Sequence, residues 1–99
     1  MNISLNHLLV TNKEKIAKFG GIPPLIKLAG SDCIGVAVEA VAALANLAVN
    51  DANELEIAQE GGLEPIIEAA TSDSIDLQSQ AARALRNLSV NRTYSSILD

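Results

Sequence analysis

Residues 36 to 49, VAVEAVAALANLAV, are apolar at nearly every position, and the run is interrupted only by Glu39 and Asn46. It is shorter than the roughly 20 apolar residues that a membrane span requires. A helix that is apolar on most faces is buried between neighbours, and its many alanines let those neighbours approach closely. The pattern therefore predicts a buried helix, with Asn46 on the one strip that is not packed.

The same pattern recurs 41 residues later, in constant register and without a gap. Agreement of this length, with a period near 40 residues, is typical of stacked helical repeats. The coinciding segments include glycine pairs, prolines, serine-aspartate pairs and an Ala-Leu-x-Asn-Leu segment: Gly20-Gly21 with Gly61-Gly62, Pro24 with Pro65, Ser31-Asp32 with Ser72-Asp73, and Asn46-Leu47 with Asn87-Leu88.

Each repeat is predicted to contain three helices. The first helix is short, and we expect Asn12 to cap it in one copy and Asn53 in the other. The glycine pair that follows supplies positive backbone dihedrals and ends it. A second helix begins with proline in its first turn. Ser31-Asp32 and Ser72-Asp73 then break the chain and offer oxygens to the amides that open a long third helix.

Composition and charge narrow the function. The chain has 99 residues, of which 48% are hydrophobic and 2% aromatic, which suits one small domain with an aliphatic core. The net charge is −5, and residues 32 to 82 contain no basic residue. With no excess of base and few aromatic rings for stacking, nucleic-acid binding is not expected. No signal peptide is recognised, and one cysteine indicates a reducing compartment, so we expect the cytoplasm, with the nucleus as an open alternative.

The candidate chemistry is sparse. His7 is the only histidine and Cys33 the only thiol, and neither recurs in the second copy. Because no metal-ligand set or nucleophile-base pair can be assembled from them, we expect no catalysis and no cofactor.

The order of these residues resembles the armadillo repeat over nearly the whole chain: Asn-x-x-x-Ile, Gly-Gly-Ile/Leu, Pro-Leu/Ile-Ile and Glu/Gln-Ala-x-x-Ala-Leu-x-Asn-Leu. The segments NLAVNDAN and GGLEPII also look similar to vacuole-associated armadillo proteins, although MNISLN lacks the glycine that myristoylation requires. The resemblance implies an all-α, right-handed superhelix that acts as a non-catalytic scaffold for other proteins. Direct membrane insertion is not expected.

In this family the third helices line a concave groove that holds partners in an extended conformation. The asparagines that match Asn46 and Asn87 exchange hydrogen bonds with the partner's main chain, which offers both donors and acceptors. The resemblance therefore implies a peptide-binding strip formed by two equivalent sets of residues, Glu39, Ala42, Asn46 and Asn50 in the first copy and Gln80, Arg83, Asn87 and Asn91 in the second.

One departure from the family bears on the partner. The importin-alpha members carry a tryptophan four residues before the groove asparagine, where this chain has Ala42 and Arg83. A basic nuclear-localisation peptide therefore lacks its stacking platform. Arg83 shares the strip with Asn87, and Arg86 lies beside it, so a partner with an acidic or phosphorylated residue is favoured.

Several alternatives stay open. Asn46 and Asn87 could bond locally, for example to a carbonyl of a neighbouring helix, and either arginine could be a solvated side chain. The chain could be a regulatory segment of a larger enzyme, such as a ubiquitin ligase, kinase or nucleotide hydrolase, or a structural spacer. A catalytic module beside the repeats in the full reading frame would favour the enzyme.

We divide the chain into one armadillo domain over residues 1 to 99: a remnant of a preceding repeat at 1–11, repeats at 12–52 and 53–93, and the start of another at 94–99. Two repeats are few for a stacked array, and neither end has an obvious polar cap, so self-association through the repeat ends is expected. Opposite charges at equivalent positions would favour that stacking on the outer surface, with Lys13, Lys15 and Lys27 matching Glu54, Glu56 and Glu68.

Overall fold

A computed structural model describes residues 20 to 90 of the chain. Five α-helices follow one another, and this part of the chain contains no strand. In order they are α1 (Ile22–Ala29), α2 (Ile34–Leu47), α3 (Asp51–Gln59), α4 (Leu63–Ala70) and α5 (Ile75–Val90). The predicted all-α class is confirmed.

The glycine pairs form the predicted sharp turns. Gly20 and Gly61, the first glycine of each pair, both have a φ of +80°, which a residue with a side chain rarely adopts. Gly62, the second glycine of the later pair, is required for a different reason, which is close packing. A methyl group on Gly62 would lie 2.6 Å from Cγ2 of Ile57 and 3.1 Å from Cδ1 of Ile26. Gly62 is therefore a point of close approach where the second copy meets the first.

The first helix of the second copy begins earlier than the sequence analysis predicted. Oδ1 of Asn50 accepts hydrogen bonds from the backbone N–H groups of Ala52 (2.9 Å) and Asn53 (3.1 Å), so Asn50 is the N-cap of α3. The prediction that Asn53 caps this helix is wrong, since Asn53 lies inside it and is 7% exposed. The reason is that Asn50 has the extended backbone conformation that a cap requires, whereas Asn53 already lies within the helix.

The long helices open differently in the two copies. Ser31 and Ser72 each accept a hydrogen bond from the N–H two residues on, at 3.1 and 3.0 Å, and so they form the turn before the helix. In α5 the next oxygen belongs to Ser74, whose Oγ accepts from the N–H of Leu77 at 3.2 Å. In α2 the equivalent residue is Cys33, which makes no side-chain cap hydrogen bond. Ser31 and Ser72 therefore shape the turns, and of the two long helices only α5 has a side-chain cap, Ser74.

Helix α2 lies at the centre of the core, as its apolar pattern predicted. Ala37 and the six consecutive residues from Ala40 to Ala45 are at most 2% exposed. The helix packs most extensively against α5 on one side and against α1 on another, while α4 packs against α5. Its alanines allow this, because a small side chain lets two helix backbones come close. The largest fully buried side chains are Val41, Leu44 and Leu47 of α2 itself and, from the other helices, Ile22, Ile57, Ile66 and Leu88.

The second copy comprises three helices, α3, α4 and α5. The first helix predicted for the first copy, with Asn12, lies outside the described residues, so three helices per repeat stays a prediction there. Glu54 differs from expectation, since it is 4% exposed and does not lie on the outer surface. No helix between residues 20 and 90 is both long enough and apolar enough to cross a membrane.

Candidate functional site

Six residues of the predicted site, five polar residues and one alanine, lie on the two long helices α2 and α5. Their spacing of three and four residues puts them on a single face of each helix. Five of the six are half-buried, and Ala42 is 2% exposed. We call this set the inter-repeat strip; its members are Glu39, Ala42 and Asn46 on α2 and Gln80, Arg83 and Asn87 on α5.

Arg83 ties the two helices together. Its guanidinium donates from Nη1 to Oδ1 of Asn46 (2.9 Å) and from Nη2 to the carbonyl oxygen of Ala42 (3.4 Å). On its own helix it donates from Nε (3.1 Å) and from Nη2 (2.8 Å) to Oε1 of Gln80. The guanidinium is thereby held flat across the boundary between the repeats, because these bonds come from three of its nitrogens and reach both helices.

The charge of Arg83 is not neutralised by these contacts. Its three partners, Gln80, Asn46 and the carbonyl of Ala42, are all uncharged, and no carboxylate between residues 20 and 90 pairs with it. The last turn of α2 contains no basic residue. Arg83 therefore also brings a positive charge towards the C-terminal half of α2, where the helix dipole is negative.

Asn87 makes a second bond across the boundary. Its Nδ2 donates to the carbonyl oxygen of Ala45 at 2.8 Å. The last four carbonyls of a helix lack partners within the helix, and Ala45 lies in that final turn of α2. Two other carbonyls of this turn accept from backbone N–H groups. The carbonyl of Leu44 accepts from the N–H of Ala48, and the carbonyl of Leu47 accepts from the N–H of Asn50. Asn87 therefore completes the end of α2 from the neighbouring repeat.

The two asparagines occupy equivalent positions in the sequence but differ in their bonding. Asn46 uses its oxygen, which accepts from Arg83, and Asn87 uses its nitrogen, which donates to Ala45. The expectation that Asn46 lies on an unpacked strip holds only in part, because Asn46 is half-buried and accepts a hydrogen bond from Arg83. The contact made by Asn87 is of the local kind that the sequence analysis left open as an alternative.

The remaining residues of the predicted site are distributed as follows. Glu39 is half-buried and makes no hydrogen bond or ion pair with residues 20 to 90. Asn50 is exposed and uses its Oδ1 as the cap of α3. Asn91 lies outside the described residues. Arg86 is exposed on α5, and it shares none of the bonds that Arg83 makes.

Gln80 was predicted to lie on the strip, but its role as the residue that holds Arg83 was not predicted. The signal was present, because residues three apart on a helix are neighbours and a glutamine oxygen can accept from a guanidinium. The carbonyl of Ala45 was also missed, and no pattern of side chains could have revealed it. Backbone acceptors become visible only when the end of one helix meets another.

A separate shallow depression of about 180 Å³ lies at the turns that precede α2 and α5, and Ser31, Glu68, Ser72 and Leu77 are among its lining residues. None of the inter-repeat strip lines it. Within residues 20 to 90, no cluster of His, Cys, Asp or Glu could hold a metal ion. The described residues therefore direct attention to the inter-repeat strip.

Comparison with known families agrees with the geometry. A model of the armadillo/beta-catenin-like repeat matches residues 11–49 and 50–90, which together make up most of the chain. No significant match was found among curated proteins or among solved structures. The second match begins at Asn50, the cap of α3, and takes in the three helices that follow. The chain therefore belongs to the armadillo/beta-catenin-like repeat family, whose repeats are generally protein-interaction modules and are typically not catalytic.

Proposed function

We propose that the inter-repeat strip binds an extended segment of a partner protein without catalysing a reaction. The observation that carries the proposal is the guanidinium of Arg83, which is half-buried, held across two repeats and bonded only to uncharged groups. Because the guanidinium is only half-buried and has no carboxylate partner among residues 20 to 90, its charge can still be paired by an anionic group of a partner.

The amides of the strip supply main-chain recognition. An extended peptide presents N–H donors and C=O acceptors on its edges, and an asparagine side chain can match either. Oδ1 of Asn87 accepts no hydrogen bond from residues 20 to 90 while its Nδ2 is engaged with Ala45. Asn87 can therefore accept from a peptide N–H and still complete the end of α2.

Arg83 supplies side-chain selection. Charge-assisted hydrogen bonds between a guanidinium and a carboxylate or phosphate are stronger than neutral ones. An acidic residue of the partner that lies over the boundary between the repeats would neutralise the charge of Arg83. A basic residue of the partner at the same place is disfavoured, because Arg83 would repel it.

A displayed library of random peptides tests the proposal directly. Peptides of about ten residues, roughly 33 Å long when extended, are sufficient to cross both long helices. We expect wild-type protein to enrich a set of binders and the variant Asn87→Ala with Arg83→Gln to lose them. Gln78→Ala, an exposed change on the same helix, is the matched control and should keep them.

Enrichment that survives in the double variant would place binding elsewhere on the molecule. No enrichment by a folded wild-type protein, as judged by a cooperative melt, would remove peptide capture as its function and favour a structural spacer.

A further inference from the structure

Gln80 has two hydrogen bonds to the same guanidinium. Its Oε1 accepts from Nε of Arg83 at 3.1 Å and from Nη2 at 2.8 Å. These two nitrogens form one edge of the guanidinium, so a single acceptor sets the orientation of the whole group. The contact lies within α5, three residues apart, and does not depend on the partner helix.

The first copy of the repeat is different at both of these positions. Gln80 corresponds to Glu39, and Arg83 corresponds to Ala42, in the 41-residue register. The acidic residue thus occurs in the copy that has no arginine, and the amide occurs in the copy that has one. A glutamate at position 80 could accept the same two bonds, but it would also neutralise the arginine.

We propose that Gln80 is a positioning and specificity-determining residue, which fixes the Arg83 guanidinium with an uncharged acceptor so that its positive charge selects an anionic group, carboxylate or phosphate, on a bound peptide. The proposal rests on the proposed function, and it adds the reason why Arg83 can act in selection.

The hydrogen-bond inventory of Arg83 leaves room for such a group. A guanidinium has five N–H donors, and four bonds to residues 20 to 90 are made. The remaining donor is on Nη1. The bond from Nη2 to Ala42 is long, at 3.4 Å, and is therefore the weakest of the four. An incoming oxyanion can bind at Nη1 and take over the Nη2 donor while Gln80 keeps its hold.

The test compares two substitutions that change the same chemical group. Gln80→Glu keeps the shape of the side chain and its acceptor oxygen but adds a negative charge next to Arg83. Gln78→Glu makes the same change at an exposed position of the same helix, two residues away. Thermal melts verify that both variants are folded, and an added Glu three residues before an arginine on a helix is mildly favourable.

Three synthetic peptide sets serve as probes, each about ten residues long, with random neighbours and one fixed central glutamate, phosphoserine or glutamine. We expect the wild type to retain the glutamate or phosphoserine set about fivefold more than the glutamine set, as one exposed ion pair allows. Gln80→Glu should remove this preference while it retains the glutamine set, and Gln78→Glu should keep it. The ratio between the two anionic sets shows which source the site prefers. A preference that persists in Gln80→Glu overturns the proposal.

A second measurement does not depend on peptide capture. Inorganic phosphate is titrated into each protein while the NMR signal of the Arg83 Nε–H is followed. A saturable shift is expected in the wild type and in Gln78→Glu, and none in Gln80→Glu. If phosphate gives this result while no peptide set binds, the anion site stands and the proposed function fails. A wild-type signal that phosphate does not move overturns the role of Gln80.

Discussion

Nδ2 of Asn87, on α5, donates a 2.8 Å hydrogen bond to the main-chain carbonyl of Ala45, in the last turn of α2. The bond joins one repeat to the next through a side chain and a backbone group. Its contribution differs from that of the apolar packing around it. A carbonyl at the end of a helix has no donor within the helix and needs one wherever water is excluded. Asn87 therefore belongs to the repeat boundary as well as to the candidate binding strip.

Substitution of Asn87 by alanine should lower the free energy of unfolding by about 1 to 2 kcal/mol, because one hydrogen bond is lost and the carbonyl of Ala45 keeps its need for a donor. Denaturant titration followed by circular dichroism measures this. Gln78→Ala is the control on the same helix and should change stability by less than about 0.5 kcal/mol, as surface changes usually do. Equal stability of the two variants would contradict a structural contribution from Asn87.

Arg83 and Asn46 should be energetically coupled, because Nη1 of one donates to Oδ1 of the other at 2.9 Å. A double-mutant cycle with Arg83→Ala and Asn46→Ala is expected to give a coupling free energy of about 0.5 to 1 kcal/mol. The same cycle between Arg86→Ala and Asn46→Ala should give a value near zero. Additive effects in both cycles would mean that the Arg83 contact does not contribute in solution.

Charge reversal at the strip should affect binding selectively. Arg83→Glu should lower the affinity for an acidic peptide selected by the wild type more than Arg86→Glu does, because only Arg83 is held at the boundary. Calorimetry at about 0.15 M salt, where the Debye length is about 8 Å, limits the contribution of distant charges. Equal losses would indicate a general electrostatic attraction.

Glycine substitutions should separate close packing from simple flexibility. Gly62→Ala is expected to destabilise the protein by about 1 to 3 kcal/mol, because its methyl group would lie 2.6 Å from Ile57 Cγ2 and 2.9 Å from the Ile57 carbonyl oxygen. Gly35→Ala, in α2, meets no atom within 4 Å and should stabilise the helix by about 0.5 kcal/mol. Thermal denaturation of both variants checks the opposite signs, and a stable Gly62→Ala would rule out the close contact.

Self-association through the repeat ends stays a prediction, and the structure identifies a residue with which to test it. Ile26 of the first repeat lies against Gly62 of the second, whereas its counterpart Ile67 is 53% exposed. We expect the average mass in sedimentation equilibrium to rise with protein concentration and Ile67→Ser to reduce that rise. Pro23→Ser changes an exposed residue of α1, the second helix of the first repeat, and should leave the rise in mass unchanged. A constant monomer mass for the wild type would contradict the prediction of self-association.

The sequence by itself determined the repeat, the all-helical class and the burial of α2. These follow from periodic apolar residues and from turn residues with local conformational requirements, such as Gly20 and Gly61 at positive φ. The resemblance to the armadillo repeat also pointed to the residues of the inter-repeat strip, which share one face of each helix because they are three or four residues apart. The cap of α3 was predicted wrongly at Asn53, since Asn50 has the same side chain and only the backbone conformation of Asn50 suits a cap.

Only the tertiary structure decided what the strip residues do. Asn46 and Asn87 have the same sequence context, yet one accepts from Arg83 and the other donates to Ala45. The difference arises because the partner of each lies 37 or 42 residues away and is set by how α5 crosses α2. Helical periodicity determines which face a side chain occupies, but the atom that it meets depends on the packing of a second helix against that face.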